Sequence, residues 1–161
     1  MGKYKDSAMA VRIGDFAGSA GRGLLAGFVG TAAITVSQLI EMKITGRQGS
    51  DAPAKAVEKT LPVKAPDDED ERMLMGQLVH WDYGTSWGIP LGLMREAGVK
   101  SLPASLIHFV GIWGTALVML PSLDLAPPVT EWSSKQIAID MAHHGVYATA
   151  AGLAYERLSR K

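Results

Sequence analysis

The chain has 161 residues, 47% of them apolar and 20% charged, and its 16 basic and 16 acidic side chains leave no formal net charge. A neutral chain carries no field that would draw nucleic acid, so that class of partner is set aside. Cysteine is absent, which excludes disulfides, thiolate nucleophiles and cysteine-based metal centres together.

One domain is expected for a chain covering residues 1–161. Charge is concentrated in residues 1–22, 41–72, 95–100 and the last few positions, and the chain between is apolar and rich in Gly and Ala. The N-terminal block is polar and lacks the compact apolar core of a secretory signal. MGKYKD also lacks the Ser or Thr of a myristoylation signal. Met9, Ile13 and Phe16 fall at i, i+4 and i+7 near Lys5 and Arg12, which predicts a short helix lying on a membrane surface, with a solvated tail as the alternative.

Residues 23–40, GLLAGFVGTAAITVSQLI, run for eighteen positions without a charge. A helix rising about 1.5 Å per residue needs roughly 17–25 such residues to cross a bilayer core. The first span is therefore placed at about 23–41. A polar, acidic loop follows over 42–72, in which Ser50, Ala54, Val57 and Leu61 predict a short amphipathic helix. The run Asp67, Asp68, Glu69, Asp70, Glu71 ends that loop, where the positive end of the next helix dipole favours carboxylates. Attraction of divalent cations is the other reading of this run, and a solvated helix start is the simpler one.

The second span is placed at 73–94, with a bend at Pro90, and the third at 102–123, with Ser101 as its cap and Pro103 in its first turn. The fourth, at 137–157, follows a capping box of Ser133 and Gln136. The first and third satisfy the length criterion alone. The second and fourth do so only if His80, Asp82, Asp140, His143 and His144 are tolerated inside. A soluble four-helix bundle would need a polar stripe on each helix, and neither the first nor the third stretch has a charge to form one. Lipid is therefore the expected solvent.

Residues 80–88, HWDYGTSWG, resemble residues 144–152, HGVYATAAG, at an offset of 64. Residues 25–30, LAGFVG, resemble residues 106–111, LIHFVG, at an offset of 81. The larger offset places the extra length in the first loop, which is indeed the longer. The expected fold is thus all-α: a four-helix transmembrane bundle from a duplicated helical hairpin, with a surface N-terminal segment. Four spans put both termini on one side with nine Lys or Arg. The other side has seven, six of them in the long loop, so cytoplasmic termini are expected.

Membrane helices associate through small residues and a few hydrogen bonds. Gly23, Gly27, Gly30, Ile34, Gln38 and Glu41 share one face of the first helix, and Gly84 and Gly88 make a small-residue step on the second. Gly111 aligns with His108 and Thr115 on the third, and Gly152 follows Ala148 on the fourth, beside Asp140, His144, Tyr147 and Ala151. The candidate polar cluster is His80, Asp82, Tyr83, His108, Asp140, His143, His144 and Tyr147. Ionised groups at membrane depth cost about 2.5–3.5 kcal/mol each, so they face the bundle interior.

Three readings of the cluster stand open: hydrogen-bonding glue between helices, a proton or ion path, and a metal, haem or pigment site. Against the last, His143 and His144 diverge by about 100° on a helix, and no two histidines have the same-face spacing of a strong zinc motif. No cofactor is the leading expectation. No nucleophile elbow or phosphate-binding loop is present, so no catalytic residue is assigned.

His80-x-x-Tyr83-Gly84-x-x-x-Gly88 and His144-x-x-Tyr147-Ala148-x-x-x-Gly152 give the spans a resemblance to the uncharacterised YagU-type inner-membrane proteins of bacteria and similar small four-span families. Ala148 departs from the glycine at that step. The resemblance implies a bacterial multi-pass inner-membrane protein and carries over no catalytic residue. The leading functional expectation is an accessory or structural subunit that packs against itself or other membrane subunits. A proton, ion or small-solute transporter and a cofactor-binding protein are the alternatives.

Overall fold

The computed structural model describes the backbone of residues 2–160 and the side chains of residues 14–160. Among these the secondary structure is helical: α1 (Gly2–Thr45), α2 (Ala52–Thr60), α3 (Glu69–Ser86), α4 (Gly88–Glu96), α5 (Ser101–Ser122) and α6 (Ser134–Ser159), with a short 3₁₀ turn at Val129–Glu131. α1 is unbroken from Gly2, so the N-terminal segment continues the first span rather than forming a separate surface helix. The side chains of Met9 and Ile13 lie outside the described residues.

Helix ends follow local chemistry. Gly46, at φ +74°, closes α1 by donating its N–H to Met42 O at 2.8 Å. Asp68 caps α3 by accepting from the N–H groups of Asp70 and Glu71, both at 3.0 Å. The acidic run is thus a helix start. Gly98, at φ +85°, ends α4, and Val99 N–H reaches back to Met94 O. Asp124 occupies the same left-handed region at the end of α5, which a short polar side chain tolerates. The capping box of Ser133 and Gln136 is present in full. Ser101, however, does not cap α5: its hydroxyl donates to the Glu156 carboxylate of α6.

α3 and α4 are two halves of one path, interrupted at Trp87. Pro90 has no N–H for Ser86 O, and its ring crowds that carbonyl, so the helix breaks one turn before the proline. α1 packs most extensively on α6 and α4, while α5 leans on α6 and only lightly on α4. Tyr147 meets Gly84 and Tyr155 meets Gly92, so α6 runs parallel to the α3–α4 path. α1 runs antiparallel to that path, with Ser19 against Gly92, Gly23 against Gly88 and Thr31 against Gly84.

Two helices are by themselves long and apolar enough to cross a membrane, α1 over Gly14–Thr45 and α5 over Ser101–Ser122. Only 33% and 17% of their apolar windows are buried. Apolar side chains therefore point outward: Leu25, Phe28, Val36 and Ile40 on α1, and Leu106, Val110 and Val118 on α5. α6 shows the same sidedness, because its exposed positions from 138 to 153 are Ala138, Met141, Ala142, Val146, Thr149 and Leu153. Its histidines and tyrosines turn inward. No other helix among the described residues meets the same test, and α4, with 9 residues, is too short for it.

Candidate functional site: a one-sided cavity with an imidazole floor

The two halves of the bundle are packed differently. In the half nearer the chain termini, α1 and α4 touch backbone to backbone. A methyl group on Gly88 would overlap the Gly23 carbonyl, one on Gly27 the Thr85 carbonyl, and one on Gly92 the Ser19 carbonyl. Hydrogen alone fits there. Gly84 is pressed on Thr31, Gly30 on Tyr147, Gly111 on Trp87 and Gly152 on Ser105. All seven glycines read from the sequence as packing positions therefore sit at helix contacts. Gly92 belongs with them and was signalled by its place one turn beyond Gly84 and Gly88.

Toward the far end the helices splay around a cavity of about 2010 Å³. Its mouth lies among the loops that follow α1 and α5, and α2 forms one wall. Ala54 of α2 packs on Gly76 of α3, and Lys59 pairs with Asp124 at 3.3 Å. Beside them Lys55 donates to Asp51 at 2.8 Å and holds that carboxyl below the ordinary aspartate range. Glu41 accepts from Arg47 Nη2 at 2.8 Å and Nε at 3.0 Å, so the charges around the mouth are largely paired.

The predicted polar cluster divides in two. His80, Asp82, Tyr83, Asp140, His143 and His144 line the cavity. His108 and Tyr147 do not, because both lie deeper in the packed core. Tyr147 O–H donates to Gly84 O at 2.6 Å, and His108 Nε2 lies 2.8 Å from Trp87 O. Since a carbonyl only accepts, His108 Nε2 carries the proton. These two bonds hold α6 and α5 to the α3–α4 path around its break. They are the interhelical glue expected of a dry contact.

For His80 and His144, both on the cavity lining, the partners fix which ring nitrogen carries the proton. Thr35 Oγ1 donates its hydrogen to Thr31 O at 2.7 Å, so its 3.2 Å contact with His80 Nε2 is a donation from the ring. His80 Nδ1 is then a bare acceptor. His144 Nδ1–H donates to Asp140 O at 2.9 Å, which leaves His144 Nε2 bare. Asp140 Oδ2 accepts from Trp113 Nε1–H at 2.7 Å and stands 3.6 Å from His144 Nδ1. The i, i+4 pairing of Asp140 and His144 is thus present, and α5 supplies a partner that no local pattern announced.

His143 is 8% exposed, and its Nδ1 shares a hydrogen bond with the Ser37 hydroxyl at 2.8 Å. His143 Nε2 and the hydroxyl of Tyr83 are buried atoms without a hydrogen-bond partner. A buried polar atom left unpaired costs about 1–3 kcal/mol. His108 Nδ1 in the packed core is likewise buried without a partner. Among the described residues no three His, Asp or Glu side chains are grouped so as to hold a metal ion.

Comparison with protein-family models, with curated proteins and with solved structures finds no match to the chain.

Proposed function

We propose that this chain is a four-span integral membrane protein that binds a small molecule in the one-sided cavity. The observation that carries the reading is the asymmetry of the bundle. One half is closed by glycine contacts at which no side chain fits, and the other opens around a cavity whose lining includes His80, His143, His144, Tyr83 and Asp140 together with charged side chains of the loops. The outward apolar faces of α1, α5 and α6 support the crossing of all four helical paths, and the parallel run of α6 with α3–α4 supports a duplicated hairpin. A bacterial cytoplasmic membrane, with both termini on the cytoplasmic side, is part of the same proposal and rests on the distribution of Lys and Arg.

A second reading, an accessory subunit that docks against another membrane helix, is favoured by one surface. Gly114, Thr115 and Val118 line a shallow groove on α5, and a methyl on Gly114 would meet nothing within 4 Å.

Cysteine labelling tests the cavity, because the native chain has no cysteine to interfere. In liposomes, Ser86→Cys on the cavity wall is expected to react with a small, water-soluble methanethiosulfonate. Thr31→Cys, fully buried against Gly84, is expected to stay unreacted. Equal protection at both positions would remove the cavity and the proposal.

A further inference from the structure

The charged side chains on the cavity lining divide by depth. Near the loops Glu41 is paired with Arg47, Asp51 with Lys55 and Asp67 with Lys64. Glu69, Arg72 and Lys135 lie within the first four residues of α3 or α6, so the rim is of mixed sign. Deeper in, the charged side chains among the described lining residues are the carboxylates of Asp82 and Asp140. At about 1.5 Å per helical residue, Asp82 stands about 15 Å beyond Arg72 on α3, and Asp140 about 8 Å beyond Lys135 on α6.

Two imidazoles add acceptors to this depth. His80 Nδ1 and His144 Nε2 carry no proton and meet no partner by the assignments above. Unlike His108 Nδ1 and His143 Nε2, which are sealed in, both keep accessible surface on the lining. Asp140, held by Trp113 Nε1–H, stands beside His144. Between floor and rim the walls are apolar, with Met42, Met73, Leu117, Leu120 and Ile139 among them.

The deep part thus offers negative charge and bare acceptors to whatever enters. A carboxylate at membrane depth is costly until a counter-charge meets it, and an unprotonated imidazole nitrogen only accepts. A metal ion alone does not meet the need, since no three His, Asp or Glu side chains among the described residues are grouped to hold one. We propose that the cavity binds an amphipathic organic amine as its ammonium ion. The head donates its N–H groups to the bare imidazole nitrogens, and Asp140 and Asp82 balance its charge. The apolar body lies along the methionine and leucine walls. This inference rests on the reading of the cavity as a binding site.

The test uses the full chain in nanodiscs at pH 7, where an alkylamine is protonated. Ser86→Cys, one turn beyond Asp82 on the lining, is the reporter and decylamine the ligand. Bound decylamine is expected to slow labelling at position 86, with an affinity at least about tenfold above that of decanol or decanoate. Asp140→Asn keeps an amide oxygen for Trp113 and removes only the charge, so the fold is expected to melt with the parent while amine affinity falls about tenfold. Asp82→Asn, at an exposed position, is expected to lower affinity in the same direction, and it decides the matter if Asp140→Asn misfolds. Equal protection by decanoate would place the site at the rim cations, and equal protection by decanol would leave an apolar pocket only. Either result, or unchanged amine affinity in the Asn variants, would overturn the proposal while leaving the cavity intact. Failure of Ser86→Cys to label at all would remove the cavity reading, and this one with it.

Discussion

Gly88→Ala is expected to destabilise the bundle more than any other single methyl addition. The new Cβ would fall onto the carbonyl of Gly23 and against the amide nitrogen of Gly27 at 2.8 Å, and both obstacles are backbone. No side chain can swing away, so α1 and α4 must separate along the whole closed half. Overpacking of a tight core costs about 1–3 kcal/mol where side chains can yield, and the upper end of that range or beyond is expected here. Melting in mild detergent, followed by circular dichroism, should show a large drop for Gly88→Ala and for Gly27→Ala. Gly114→Ala and Gly145→Ala, whose added methyls meet nothing within 4 Å, should melt with the parent or slightly above it. Equal behaviour of the four variants would mean that the glycine contacts between α1 and α4 do not form.

The second large effect concerns the solvent itself. Val110 lies near the middle of α5 and is 63% exposed. In water, an aspartate at such a site is neutral or improves solubility. In a bilayer it costs about 2.5–3.5 kcal/mol at mid-helix. Val110→Asp is therefore expected to reduce membrane-inserted protein roughly a hundredfold, read as the fraction resisting alkaline carbonate extraction. Ser122→Asp, at the exposed end of the same helix, is expected to insert normally. A soluble, folded Val110→Asp protein would show that water, not lipid, surrounds α5.

Much of this arrangement was legible in the residues. The capping box at Ser133, the acidic start of α3, the short helix after Ser50 and the break ahead of Pro90 are local effects, decided within a few positions. The small-residue faces of α1 and α4 were legible too, since helical spacing fixes which side chains share a face. What spacing does not fix is how far away the facing helix stands. His80 and His108 look alike in sequence, yet one meets open space and the other the Trp87 carbonyl, because the bundle splays at only one end. Trp113 and Asp140 are 27 positions apart on different helices, and nothing in either segment points to the other. Ser101 had the right type and place for a cap, but Glu156 across the interface claimed its hydroxyl.

The central claim is that four helical paths, not two, cross the bilayer. Single cysteines at positions 59, 100, 124 and 160, all exposed and all outside the proposed spans, test it in sealed vesicles with an impermeant maleimide. Lys100→Cys and Arg160→Cys are expected to label from one side, and Lys59→Cys and Asp124→Cys from the other. Labelling of positions 59 and 100 from the same side would show that the α3–α4 path does not cross, and positions 124 and 160 sharing a side would show the same of α6.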